Sequence, residues 1–232
     1  MPVNSAMVAA IVNTGQGYTQ LNTFSAFLNM SNMSNPLYQK IHNDLIKHTK
    51  YTAIETMEMA GREEARLAME ENNVNKNGIP LITVVADSTW SKRSYKSNYN
   101  ALSGVATIIG YRTKKILFMG IRNKFCAVCQ KAESNEKEVS VHKCFKNWER
   151  TSTSMEADII VEGFRQSMSM HNVIFNKLIS DGDSSVMKKL SLAKPYGPDI
   201  FIKKIECVNH ILRNYCNRIA DISSRRKGVP PG

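Results

Sequence analysis

No stretch of the chain approaches the ~20 consecutive apolar residues that cross a bilayer. The first apolar run, residues 7–12, is too short for the core of a secretory leader and has no basic flank before it. A membrane partner and a secreted life are therefore not expected. Cysteine is scarce and odd in number, five in all, with two closely spaced pairs. That usage argues against a disulfide framework and for thiols or metal ligands in a reducing, intracellular compartment. There is no internal repeat. Positive charge is missing from the first third: residues 1–78 hold 6 Lys/Arg against 7 Asp/Glu.

The rest of the chain holds 25 Lys/Arg against 13 Asp/Glu, or +12, which with −1 from residues 1–78 makes the formal charge of +11. Such a bias suits a polyanionic partner, because each phosphate neutralised releases condensed counterions; ordinary solubility charge on lysine-rich loops is the plainer alternative. The 232 residues, 42% hydrophobic and 22% charged, fit a soluble globular protein with one ordinary domain and a smaller one.

Along the chain, the first 15 or so residues are small and polar and are expected to be ordered only if something packs on them. Leu21, Phe24, Phe27 and Leu28 stand at helical spacing in 18–30. After a connector, with Ser34 or Asn35 as cap and Pro36 at the first helical position, a long helix is expected over 37–71. Its apolar face would be Ile41, Leu45, Ile46 and Ile54, and its solvated face Arg62, Glu63, Glu64 and Arg66. Two helices joined by a turn can read DNA, but the near-zero local charge suits a packing or dimerisation hairpin better. The asparagine-rich break at 72–78 ends this helical region.

Beyond the break, 79–86 is a short β-branched run typical of a buried strand. Strands are expected also at 100–109, 115–121, 172–179 and 201–205, with a hairpin turn at 110–114. Helices are expected from 155 to 169, capped by Thr153 or Ser154 with Glu156 and Asp158 at its positive end, and at 184–193 and 207–222. Residues 122–150 are polar and lysine-rich, an insertion and not core. This order makes an α/β domain with a mixed sheet over 79–222, preceded by a helical region (1–78) and followed by a basic tail (223–232).

Asp87 follows the first strand and Asp181 the later one, the latter in Asp181-Gly182-Asp183. A carboxylate at a strand's carboxyl end stands on a rigid frame with its oxygens outside the core, the placement that a hard cation such as Mg²⁺ requires. An Asp at that position also caps turns, so each residue alone is open to both readings. Cys126-Ala-Val-Cys129 with His142-Lys-Cys144 offers four soft or borderline ligands in two close pairs, the pattern of a closed tetrahedral zinc site. Coincident surface thiols are the alternative. Cys207 and His210 form a second pair that would share a helix face, or else a half-buried thiol and a hydrogen-bonded histidine.

Taken in order, these stretches resemble the catalytic region of Mutator-like transposases of the branch common in animal genomes. Gly17-Tyr18 and residues 30–34 resemble the family's helical lead-in. Asp87, Trp90 and Lys92-Arg93 resemble its first acidic motif, and Cys126, Cys129, His142 and Cys144 its cysteine/histidine insertion. Residues 152–156 with Asp158 resemble the helix that comes next. Asp181-Gly-Asp183 resembles the second acidic motif, and Cys207 with His210 the Cys-x-x-His element after it. The resemblance implies an RNase H-like fold in the nucleus, with carboxylates holding Mg²⁺ or Mn²⁺ for cleavage and transfer of DNA strands. Transposon ends and target DNA would be the partners, and a homo-oligomer is compatible with it. Asp87 carries over as the first carboxylate and Asp181 as the second, with Asp183 in reserve. Lys92 and Arg93 carry over as DNA contacts. The third carboxylate, a glutamate on a later helix, has no counterpart: Glu206 directly precedes the Cys-x-x-His element, and only Asp221 follows it. The domain is therefore expected to be C-terminally incomplete, and whether it acts as an enzyme is left open. A decayed or domesticated fragment serving as a zinc-stabilised DNA-binding module is the alternative. A nuclease of RNA–DNA hybrids would share the acids but gives no reason for the insertion.

Overall fold

The computed structural model describes residues 2–91, 101–180 and 184–226. The chain forms two compact units, Met1–Thr56 and Met57–Gly232. The first unit contains α1 (Val3–Asn13), α2 (Tyr18–Phe27) and the start of α3 (Asn35–Glu70). The opening residues are ordered because they do find something to pack on. Ala6, Ala9 and Ala10 favour the helix, and Val8 is fully buried with Leu21, Met33 and Tyr38. Tyr18 ties α2 to the connector by donating its hydroxyl to the Met33 carbonyl at 3.2 Å. Only Ile41 and Leu45 of the expected apolar face of α3 join this core. Ile46 and Ile54 are exposed, since Ile46 lies a quarter turn away from Leu45.

The second unit is built on one mixed sheet of order β3-β2-β1-β4-β5. Its strands are β1 (Leu81–Trp90), β2 (Ser103–Gly110), β3 (Ile116–Asn123), β4 (Ile174–Ser180) and β5 (Lys203–Glu206). β1 is antiparallel to β2 and parallel to β4; β2 is antiparallel to β3, and β4 parallel to β5. This is the mixed α/β class expected from the sequence. β1 runs four residues past the expected end because β2 continues the ladder as far as Trp90 opposite Gly104.

One sheet face carries Val84, Ala86, Ile108, Phe118 and Leu178, all buried. The end of α3, α5 (Met155–His171) and α6 (Ser184–Ala193) supply the rest of that core through Ala65, Ile160, Phe164 and Leu190. Gly163 allows α5 its close approach: a Cβ there would stand 2.5 Å from both Ile108 and Phe118. The expected caps of α5 do not form. Ser154 instead donates its hydroxyl back to the Thr151 carbonyl at 2.8 Å, within a short 3-10 turn. Asp158 is more than a favourable charge at a helix start, for Arg122 of β3 bonds both Asp158 (2.8 Å) and Glu162 (2.6 Å).

Glu64 corrects the sequence reading more sharply. It was expected on the solvated face of α3 but is 1% exposed. Its carboxylate accepts the backbone N–H groups of Arg112 and Thr113 (3.1 and 2.8 Å) and the Thr113 hydroxyl (2.9 Å). It thus caps the β2–β3 turn, where Lys114 takes a left-handed conformation. A buried carboxylate needs such donors, because an unpaired charge there would be very costly. Tyr196 provides a second polar lock: its hydroxyl meets Ser167 at 2.8 Å and accepts the Phe175 N–H at 3.0 Å. Burial pushes that phenol up to about 12.

Candidate functional site

Four strands, β1, β3, β4 and β5, finish at the same end of the sheet. β1 and β4 run parallel, with Val85 beside Ile179, and Ser103 at the start of β2 pairs with Asn123 at the end of β3. Asp87 lies two residues beyond Val85, opposite Thr107, on the sheet face away from Ala86 and Ile108. It is exposed there, with one carboxylate oxygen accepting the Ser88 N–H at 2.9 Å. This face is the open one, where Met119 and Ile121 reach solvent. β4 ends at Ser180. Asp181 and Asp183, like Lys92 and Arg93, lie outside the described residues. Glu206 ends β5 in register with Ser180, on the face opposite Asp87, and pairs with Lys204 at 2.7 Å. Among the described residues of β1, β4 and β5, Asp87 is the one carboxylate on the open face.

The insertion begins where β3 ends. It carries α4 (Ala127–Ser134), and Trp148 and Cys126 are buried in it, so this segment expected to lie outside the core has anchors of its own. Asn123 and Asn147 clamp it to the sheet. The Asn123 N–H donates to the Asn147 side chain (2.6 Å), the N–H groups of Asn147 and Trp148 donate to the Asn123 carbonyl (2.9 and 3.1 Å), and the Asn147 amide donates to the Ile121 carbonyl (3.0 Å). Neither asparagine stood out in the sequence, where polar loop residues all look alike; their 24-residue separation gives no local signal.

The clamp closes the loop around Cys126, Cys129, His142 and Cys144, whose ligand atoms lie within 4.8 Å of one another and could hold a metal ion. His142 Nε2 stands 3.2 Å from the Cys126 sulfur and 3.5 Å from that of Cys129, and the Cys129 and Cys144 sulfurs are 3.6 Å apart. Bonds of ~2.3 Å to sulfur and ~2.0 Å to nitrogen around a tetrahedral ion would set such edges at about 3.8 and 3.5 Å. His142 Nδ1 faces the Ser140 carbonyl at 2.8 Å, which places a proton on Nδ1 and turns Nε2 towards the sulfurs, the outer-shell support of a ligating histidine.

The electrostatics agree. Cys126 is pulled down to about 6, chiefly by the Cys129 N–H donating to its sulfur, with the Phe145 and Val128 amides and His142 assisting. Cys129 is pushed up to about 11, chiefly through its hydrogen bond with Cys144 and then by burial. The Ser140 carbonyl, with Cys126, raises His142 to about 9. Cys129 and His142 therefore hold protons that a cation would displace. Cys207 is half-buried just before α7 (Val208–Arg226), and the His210 side chain lies outside what is described.

The second unit is thus a mixed α/β unit with an exposed carboxylate at one end of its sheet and a four-ligand Cys/His cluster in the insertion that begins there. A sequence profile of Mutator-like transposases matches residues 1–231, and the chain belongs to that family. Its role thus lies in DNA transposition, with DNA as the partner. A search of curated proteins found no match. Among the described residues, no helix is long and apolar enough to cross a membrane.

Proposed function

We propose that residues 79–222 form an RNase H-like catalytic domain that cleaves and transfers DNA strands in the nucleus through a DDE-type acidic site. The observation that carries this reading is Asp87, exposed on the open face at the edge where parallel β1 and β4 end. Asp181 comes next in sequence after Ser180, the last residue of β4. The two would hold Mg²⁺ or Mn²⁺ through hard carboxylate oxygens, with Asp183 in reserve, and Lys92 and Arg93 would steady the DNA backbone beside them. When bound, the cations supply the positive charge that activates water or a 3′-hydroxyl and steadies the departing oxygen. Asp87 is set for this by the strand: its backbone is fixed on the β2 ladder, and Ser88 N–H orients one oxygen.

In the insertion, Cys126, Cys129, His142 and Cys144 would hold one zinc ion. Four protein ligands leave no open position, so its task is to organise the fold. The four-ligand Cys/His cluster of the insertion favours a second reading, a zinc-stabilised DNA-binding module without catalysis.

Plasmid nicking in Mg²⁺ separates the two. Asp87→Asn and Asp181→Asn should each lower nicking by more than ~100-fold, since each removes a transition-state charge clamp, while duplex affinity stays. Tight duplex binding with no nicking by the unaltered chain favours the module. In either case the affinity should fall steeply with salt, the log–log slope growing by ~0.9 for each phosphate neutralised.

A further inference from the structure

The Cys/His cluster is flanked by two exposed phenylalanines in mirror order: Lys124-Phe125-Cys126 on one side and Cys144-Phe145-Lys146 on the other. Phe125 is 38% exposed and Phe145 65%. Aromatic rings normally earn their place by burial, yet the backbone carrying these two is firmly held. The Asn123 side-chain amide donates to both the Phe125 and the Phe145 carbonyls, at 2.9 and 3.3 Å. The Phe125 N–H donates to Asn123 Oδ1 at 3.1 Å. One asparagine at the end of β3 thus holds the backbone that carries both exposed rings. Lys124, Lys143 and Lys146 lie beside them in sequence; Lys146 also meets the exposed Glu149 at 3.6 Å.

Exposed rings on a held backbone in a basic setting have the chemistry of a stacking platform: the lysines meet phosphates and the rings meet base faces. In a duplex those faces are covered by neighbouring bases, so the partner must offer unpaired ones. An apolar protein surface would leave the lysines unmatched. The location fits as well, since Asn123 pairs with Ser103 at the sheet edge where β1 ends, the edge assigned above to strand cleavage.

We propose that Phe125 and Phe145 bind single-stranded or unstacked DNA by base stacking, holding a frayed strand beside the Asp87 edge. This rests on the DNA-transposase reading and adds to it a specific substrate form and two positioning residues.

The test uses the zinc-loaded 232-residue chain and a short oligonucleotide with 2-aminopurine at its centre, presented single-stranded and as a duplex. The single strand should bind with quenched probe fluorescence. Phe145→Ala should weaken that binding about ten-fold, and adding Phe125→Ala should weaken it further. Duplex affinity should change less than about two-fold, Phe145→Trp should restore single-strand binding, and zinc content should stay at wild-type level throughout. Unchanged single-strand affinity in the zinc-loaded double variant would overturn the inference, as would equal losses on single strand and duplex. If Phe145→Ala releases zinc, the wild-type protein decides, because a bound but unquenched probe is equally fatal. A wild type that binds duplex tightly while ring removal has no effect defeats this inference alone. One that binds neither form defeats the DNA-binding reading with it.

Discussion

The sheet and the Cys/His insertion belong to the same compact unit and are held by opposite means. The sheet is secured by burial: Val84, Ile108, Phe164, Phe175 and Leu178 are fully enclosed between strands and helices, and each such side chain contributes about 1.5–3 kcal/mol. The insertion has two buried anchors, Cys126 and Trp148, a pair of asparagines and four converging ligands. A region with so little enclosed apolar surface cannot offset its own ordering entropy by packing. On the proposed reading, the edge assigned to strand cleavage rests on the part of the fold least able to stand alone, and a zinc ion would complete it.

The sharpest way to break this comparison is to remove ligands. Cys126→Ser with Cys129→Ser should reduce bound zinc from one per chain to none, measured by elemental analysis. In hydrogen exchange the insertion should lose protection while β1, β2 and β4 keep theirs. Structural zinc contributes about 10–16 kcal/mol in small zinc-dependent folds, so this is the largest effect expected. Loss of protection throughout the sheet would show that the two regions are not separately held.

A smaller effect, directed at the buried side alone, comes from Gly61 of α3. Glycine in a helix normally gives way to alanine with a gain of up to ~1 kcal/mol. Here a Cβ would lie 2.2 Å from His171 Nδ1, so Gly61→Ala should instead destabilise by about 1–3 kcal/mol. Denaturant unfolding measures it, and zinc content should not change. A stabilised variant would mean that α3 does not press on His171 as closely as described.

The smallest effect is a pH dependence. His171 donates from Nε2 to the Leu117 carbonyl at 2.9 Å, and burial holds its pKa below the ordinary 6.5. The unfolded chain therefore takes up the proton first as pH falls. The contribution of the neutral ring is complete above the ordinary value and is lost as pH drops through it towards the lower folded value. Melting at pH 5 should come below melting at pH 7, and His171→Gln should reduce that difference. An equal slope in the variant would assign the effect to other groups.

Much of the sheet was legible in the sequence because its strands are β-branched runs between turn residues, and α5 because Ile159, Ile160 and Phe164 fall at helical spacing. The four ligands were legible because metal geometry constrains spacing within each pair. Strand order was not, since it depends on pairings such as Leu81 with Ile174, far apart in the chain. Nor was Glu64, whose charge suggested solvent until the Arg112–Thr113 turn supplied its donors. The Asn123–Asn147 clamp was hidden for the same reason: only the closed insertion brings the two together. Asp87 was found as a candidate, but its face of the sheet became evident only with the β2 register.

The most direct measurement of the central claim is Mn²⁺ binding to the zinc-loaded chain, followed by electron paramagnetic resonance. The wild type should take up Mn²⁺ at a site that Mg²⁺ displaces. Asp87→Asn and Asp181→Asn should each weaken uptake at least ~10-fold, because each removes an anionic oxygen ligand from a hard cation, while Cys144→Ser leaves it within about two-fold. Equal Mn²⁺ affinity in the wild type and both aspartate variants would contradict the assignment of a metal-dependent site to the edge of β1 and β4.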